Sequence, residues 1–306
     1  MGKDSKSSLN SDVIQSRLKF AAFLTFCILC VEVVGGILAN SLALLSDAAH
    51  MFTDVFSLAL SWFAIKIARL PSNSEKTYGY HRIEILASVI NGLMLIFMAC
   101  GIFYEAIQRY QNPPLVNGEL VMMVAAMGLA ANLIVIYYLK DSFQHNMHDL
   151  NLKSTFFHVL GDFIASVGVL IGGGIIWLTG WQLVDPLLAT CISLILLWSA
   201  WNVLSEALHI LLEGVPKNVS ILEVKKELKS IPAIQDIHEL HIWCICSNIY
   251  ALSTHALISD NMTSDFEKIL REIKSLLANK FNIKHSTIQF ETRLCEEVDS
   301  NCDISH

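Results

Sequence analysis

Six apolar runs constrain this chain more than any other feature, because each has about the 20-residue length that crosses a bilayer as a helix. They are Leu18–Leu38, Leu42–Ala68, Ile83–Ile107, Leu120–Leu139, Thr155–Leu178 and Val184–Leu204. Composition agrees: with 54% hydrophobic and 16% charged residues and a mean hydropathy of +0.51, the 306-residue chain is too oily for an ordinary soluble protein. The connections Ala39-Asn40-Ser41 and Thr179 to Leu183 are very short, which makes the helices they join antiparallel neighbours.

Basic residues orient the bundle. Lys3, Lys6, Arg17 and Lys19 precede the first run, Lys66, Arg69, Lys76 and Arg82 follow the second, and Lys140 and Lys153 follow the fourth, whereas the opposite side carries only Arg109. The positive-inside rule puts both termini in the cytosol, so the sequons at Asn218 and Asn261 face it too and stay unused. The N-terminal stretch is polar for too long to open a cleaved signal peptide, and the first helix is expected to stay. The net charge of −7 gathers in the polar last third and argues against a nucleic-acid partner. Eight scattered cysteines do not make a disulfide framework; Cys27, Cys30, Cys100 and Cys191 read as small buried hydrophobes.

After Glu213-Gly-Val-Pro216 the composition becomes that of a soluble domain. Ile221–Ile231 and Phe266–Phe281 have helical apolar spacing; Ile237–Cys246, Ile249–Ile258 and Ser286–Glu291 read as strands. The expected architecture is a cytosolic segment 1–16, a six-helix transmembrane domain 17–212, a small cytosolic α+β domain 213–294 of order αββαβ, and a tail 295–306. About 80 residues hold only a thin core, which a partner subunit or a metal would reinforce.

Inside the apolar runs, SLALLSDAAHMFTDVFSLAL carries Asp47, His50 and Asp54, and FHVLGDFIASVGV carries His158 and Asp162. Residues four apart share a helix face, so His50 with Asp54 and His158 with Asp162 each offer an imidazole and a carboxylate in one direction. Four such ligands are the number a tetrahedral Zn²⁺ takes, and a dication discharges carboxylates that are costly in hydrocarbon. The alternative is local hydrogen bonding within each pair. Nitrogen plus carboxylate oxygen suits Zn²⁺ over Mg²⁺ or Mn²⁺, with Co²⁺ a mimic. Histidine binds metal only when neutral, so metal and H⁺ compete for His50 and His158, which would couple their movements. Asp47, one turn before His50, reads as a support for the site or a proton relay, or as a locally bonded group. Asn132 and Asp185 are candidates to line an aqueous path; Asp185 also suits a helix N-terminus.

These motifs, with TYGYHRIEILA, HELHIW and STIQFE, closely resemble the cation diffusion facilitators, in their zinc-transporting branch, from about Arg17 to Glu291. The resemblance implies a homodimeric six-helix antiporter in the lipid bilayer, exchanging cytosolic Zn²⁺ for H⁺, with a metallochaperone-like C-terminal domain. Its transport site falls on His50, Asp54, His158 and Asp162; manganese-transporting relatives have Asp or Asn where His50 stands. It places a domain-interface ligand on His81, which otherwise anchors helix three, with Glu84 facing the same way and available to Arg82. It places cytosolic ligands on His238, His255, His285 and Glu291. Tail cysteines complete that site in some members, and Cys295 and Cys302 are available here, though their spacing departs from a close CxxC. By strand alternation His238 and His241 face opposite sides, with His241 in the core. Cys244 and Cys246 share a strand face and are expected to pack.

The His-rich loop of many eukaryotic zinc members is absent; only His145 and His148 stand in its place, as weak ion collectors or a solvated loop. The short loop and N-terminus lean towards a bacterial inner membrane rather than an intracellular vesicle membrane. No soluble protein partner is implied. An intramembrane metallohydrolase is disfavoured, since no HExxH helix is present and a four-ligand cage leaves no open position. Broader Co²⁺, Cd²⁺ or Fe²⁺ efflux is the runner-up, followed by a zinc sensor that does not transport.

Overall fold

The computed structural model describes residues 23–145, 150–246, 249–259 and 265–293, and side chains over the same ranges except 138–159. Its elements are α1 (Phe23–Ala39), α2 (Leu42–Ala68), α3 (Ile83–Gln111), α4 (Gly118–His145), α5 (Leu150–Thr179), α6 (Val184–Leu211), α7 (Ile221–Lys229), β1 (Ile234–Cys246), β2 (Ile249–Ile258), α8 (Phe266–Phe281) and β3 (Ile283–Glu291). Helices α2 to α6 each contain a stretch long and apolar enough to span a membrane, and the described part of α1 is a shorter apolar helix. A helix satisfies its own backbone groups, which hydrocarbon requires of any spanning segment. The six transmembrane helices and the αββαβ order follow the sequence expectation. Four elements begin earlier than read from the apolar pattern: α4 at Gly118, α5 at Leu150, β1 at Ile234 and β3 at Ile283.

Two compact units divide the chain: residues 1–60 with 90–203, and residues 61–89 with 204–306. In the first, helices meet through small side chains. Ala99 and Ala106 of α3 and Ala189 and Ala200 of α6 are fully or almost fully buried in one cluster with Leu42, Ala49 and Leu196. Without a hydrophobic drive between helices in lipid, close backbone approach supplies the contact, and alanine permits it. The same logic is sharper where α4 meets α5. A Cβ on Gly118 would lie 2.6 Å from the Trp177 amide nitrogen and 2.7 Å from the Gly173 carbonyl oxygen, so only glycine fits. Large apolar side chains such as Phe97, Ile164, Ile195 and Trp198 point outward, the arrangement expected of a surface solvated by lipid.

The turn between α1 and α2 is built around Asn40, whose φ of 54° is left-handed. Such a residue ends a helix by returning amides to its last carbonyls: Asn40 donates to Ile37 and Ser41 to Gly36. The first N–H groups of α2 then need acceptors, and Asp185 provides them. Its carboxylate accepts from Ser41 Oγ (2.5 Å) and from the backbone of Leu42 (2.7 Å) and Ala43 (3.1 Å). Arg109 Nη1 lies 3.6 Å from the same carboxylate and donates to the Asn40 carbonyl at 2.7 Å. Asp185 is 1% exposed, so it serves as the cap of a neighbouring helix rather than as the lining of an open path.

In the second unit, the C-terminal sheet has strand order β1-β2-β3, with β1 and β2 antiparallel and β2 and β3 parallel across α8. Ile269, Ile273, Leu277 and Phe281, four apart along α8, bury one stripe against Val224 and Leu228 of α7 and the sheet residues Ile237, Leu252 and Ala256. Ser220 caps α7 by accepting from the Glu223 amide. Between His238 and His241 the strand carries an extra residue: their partners on β2 are His255 and Ser253, and Glu239 has a φ of 49°.

Replacing Asp185 with Ala strands three donors and removes one carboxylate from the Arg109 guanidinium. At about 1.5–3 kcal/mol for a hydrogen bond to a charged group, the loss should reach at least ~3 kcal/mol. Thermal unfolding of the detergent-solubilised protein should show a clearly lower midpoint for Asp185→Ala; an unchanged midpoint would mean that the cap contributes nothing.

Candidate metal centres

Helical spacing brings His50 and Asp54 together on α2, and packing brings α5 to them. His50 Nδ1 stands 3.7 Å from Asp54 Oδ2, and His50 Nε2 stands 3.9 Å from Asp162 Oδ1. Both gaps are too long for a hydrogen bond. They are near the edge of a zinc tetrahedron, about 3.3–3.5 Å for ligands about 2.0–2.2 Å from the ion. One imidazole faces the two carboxylates with different nitrogens, and an ion takes only one of them. A cage holding both Asp54 and Asp162 therefore needs the His50 ring or the Asp54 side chain to turn. The His50 side chain is 27% exposed and that of Asp162 13%, so the cluster is shielded without being sealed. Thr53 Oγ1 donates to the His50 carbonyl at 2.7 Å and stiffens this turn of α2. His158 falls within α5, but its side chain lies outside the described residues.

Asp47 is buried on α2, within electrostatic range of Asp162. Asn132 of α4 donates to Ser166 Oγ of α5 at 3.3 Å. A further carboxylate, Glu32 of α1, is buried in this unit. Spacing rules pass over it because no ligand-type residue stands four positions away. Its signal is simpler: it is the sole ionisable side chain between Phe23 and Ala39 apart from the thiols of Cys27 and Cys30.

In the C-terminal domain each strand contributes one residue to a second cluster. His238 on β1 lies opposite His255 on β2, with ring centroids 5.3 Å apart, and β3 ends at Glu291. Glu291 Oε2 is 3.0 Å from His238 Nε2, and its Oε1 is 2.8 Å from His255 Nδ1. Ligand-type atoms from all three fall within 4.8 Å of one another, the one such group among the described residues. The donor set, two imidazoles and a carboxylate, suits a Zn²⁺ with a fourth position left for another ligand. His238 turns Nε2 to Glu291, while its Nδ1 is buried with no hydrogen-bond partner.

His285 is not in this cluster. It pairs with Ala251, four residues along β2 from His255, which at the rise of a strand is about 13 Å away. Instead it lines a cleft of about 310 Å³ with His81 and Tyr78, whose ring meets the His285 ring edge-on at 6.4 Å. Arg82 pairs with Glu213 at 3.0 Å rather than with Glu84. The expectation for His241 fails as well. The extra residue at Glu239 undoes strand alternation, so His241 does not enter the core; it is 60% exposed and 3.2 Å from Glu239 Oε2. Cys244 and Cys246 are buried, Cys244 in the domain core. Cys295, Cys302 and His148, and the side chain of His145, lie outside the described residues.

The fold is that of a multi-pass membrane protein with an appended α/β domain. Residues 18–212 match the family model for the cation efflux transmembrane domain, and residues 216–293 match that for the cytoplasmic domain of cation efflux proteins. The chain belongs to the cation efflux family, whose members carry metal cations across membranes. It is 42% identical over 283 residues to the metal cation efflux system protein CzcD of Cupriavidus metallidurans, covering 92% of this chain and 88% of that one. Identity is 41% over 263 residues to a cadmium, cobalt and zinc/H(+)-K(+) antiporter of Bacillus subtilis, covering 86% and 84%. It is 35% over 294 residues to the zinc transporter ZitB of Escherichia coli, covering 96% and 92%. A solved metal-bound C-terminal domain of the Cupriavidus CzcD transporter aligns at 38% identity and TM-score 0.23, over 24% of this chain and 99% of that one.

Burial pushes the Cys244 thiol up, helped by Cys246 and Glu206, so little thiolate forms near neutral pH. Iodoacetamide should therefore label Cys244 in the folded protein at least ~10-fold more slowly than in denaturant, and appreciably only above the usual thiol range. Rapid labelling at pH 7 would show an accessible thiolate.

Proposed function

We propose that the protein is a Zn²⁺/H⁺ antiporter that exports zinc from the cytosol, working as a homodimer with both termini cytosolic. The observation that carries the reading is His50 held between Asp54 and Asp162, inside apolar helices, at gaps close to those a tetrahedral ion spans. With His158 as the fourth ligand, the cage has the composition zinc favours. The name of the Cupriavidus relative supports metal efflux, that of the E. coli relative supports zinc transport, and that of the Bacillus relative supports both antiport and a wider choice of metals. The family has transporters as members, which supports a carrier over an enzyme.

The exchange follows from competition at one set of atoms. Zinc arriving from the cytosol needs His50 neutral and the carboxylates ionised, so its binding expels protons. Protons arriving from the other side restore the imidazolium and the carboxylic acids, each of which repels or releases the ion. Neither cargo can leave the other undisturbed, so a proton gradient drives metal uphill. In the cytosolic domain, His238, His255 and Glu291 would hold a resident Zn²⁺ that fastens the three strands together. Binding would part the 2.8 and 3.0 Å His–Glu contacts by a few tenths of an ångström, to reach the about 3.3–3.5 Å edge of a tetrahedron. His81, Cys295 and Cys302 are left as auxiliary ligands to be tested one at a time.

Loss of even an outer partner of a metal site typically costs about 10–100-fold, so Asp54→Ala and Asp162→Ala should each cut zinc flux into proteoliposomes by more than ~100-fold. Flux retained in both variants would refute the site. Running Cd²⁺ and Co²⁺ alongside Zn²⁺ decides between a zinc-selective carrier and a broad one. Glu291→Gln should remove one bound zinc per chain in equilibrium dialysis while leaving the intramembrane site loaded.

A further inference from the structure

Glu32 is 1% exposed, and its Oε2 has no hydrogen-bond partner. A glycine on α4 leaves the room that its side chain takes. A Cβ on Gly128 of α4 would stand 2.7 Å from Glu32 Oε1 and 3.8 Å from Ser166 Oγ of α5, so the missing side chain is the space that the carboxylate occupies. Ser166 is itself held by Asn132. Among the described residues the charged groups that act on Glu32 are Asp47 from α2 and Asp162 from α5, while α4 presents Gly128 and Asn132. Three carboxylates on three helices thus face one region with a bare oxygen among them. In a medium that cannot solvate an anion, such a group has to be discharged by an arriving cation or remain a large cost.

We propose that Glu32 is a further cation-accepting carboxylate of the transport path, taking up positive charge during the cycle beside the His50, Asp54 and Asp162 cluster. The inference rests on the antiport reading above and extends it to a residue on a third helix. Two cations share the required chemistry, the transported dication and the proton exchanged for it. They are separated by what happens to metal binding when the charge on residue 32 is removed at constant shape.

The test compares wild-type protein with Glu32→Gln in proteoliposomes, using Zn²⁺ and an imposed pH gradient, and measures zinc per chain by equilibrium dialysis. Glu32→Gln should lower zinc flux at least ten-fold while the midpoint of thermal unfolding stays put. Loss of one bound zinc, or a ten-fold weaker one, assigns the metal to Glu32. Intact zinc binding with flux that no longer responds to the pH gradient assigns the proton. Flux within two-fold of wild type overturns the proposal, as does a fall in flux that leaves both zinc binding and pH response unchanged, which marks a packing role. Should Glu32→Gln fail to fold, Glu32→Asp and Gly128→Ala are judged by the same readouts; Gly128→Ala keeps the carboxylate but crowds Oε1. A wild-type protein that moves no zinc overturns the antiport reading and this proposal with it. A transporting wild type with an indifferent Glu32→Gln overturns the proposal alone.

Discussion

A carboxylate removed from water must find donors or a cation, and the membrane unit is arranged around the places where that demand is met. At Asp185 the demand is met by donors: a hydroxyl, two backbone amides and a guanidinium converge on one side chain. At Asp54 and Asp162 an imidazole stands near, at distances that leave room for an ion. The two solutions have opposite consequences. A carboxylate saturated by fixed donors becomes a fastening, which holds α2 to α6. Where the imidazole stands nearly 4 Å from its carboxylates the spacing is looser, and α2 meets both arrangements, one at its first turn and the other near its middle.

The transmembrane architecture was legible because hydrocarbon allows so few alternatives. Length and apolarity alone located the starts of α2, α3, α4 and α6 to within two residues, although α4 and α6 run on past the expected ends Leu139 and Leu204 to His145 and Leu211, and the Ala39-Asn40-Ser41 link implied an antiparallel pair. In the C-terminal domain, α8 and β2 were readable to the residue because each has a stripe or alternation that a core enforces. Side-chain direction was harder. The residue added at Glu239 shifts β1 by one position, and strand alternation read across that point sends His241 into the core, when it lies in solvent. A bulge of this kind leaves no apolar periodicity to betray it.

Site legibility divides along the same line. His50 with Asp54 was visible because both lie on one helix, where geometry follows from sequence spacing. That His50 reaches Asp162 depends on how two helices pack, which spacing within either does not encode. Asp185 as the cap of α2 was hidden for the same reason, since its partners lie more than 140 positions away. His285 was assigned to the cytosolic cluster by resemblance, but the parallel register of β3 on β2 puts it opposite Ala251. Glu291, at the far end of the same strand, is the residue that reaches His238 and His255.

That last contact joins positions 53 residues apart, with β2 and α8 lying between them. Whatever bridges His238 and Glu291 acts as a cross-link that closes this loop, and closing a loop of that size removes chiefly the freedom of the unfolded chain. A dication there would restrain the domain as a disulfide restrains a secreted one, but through ligands that a reducing cytosol leaves intact. The folding of the sheet and the local metal supply would then be a single equilibrium, so the domain would be firmest where the ion is plentiful.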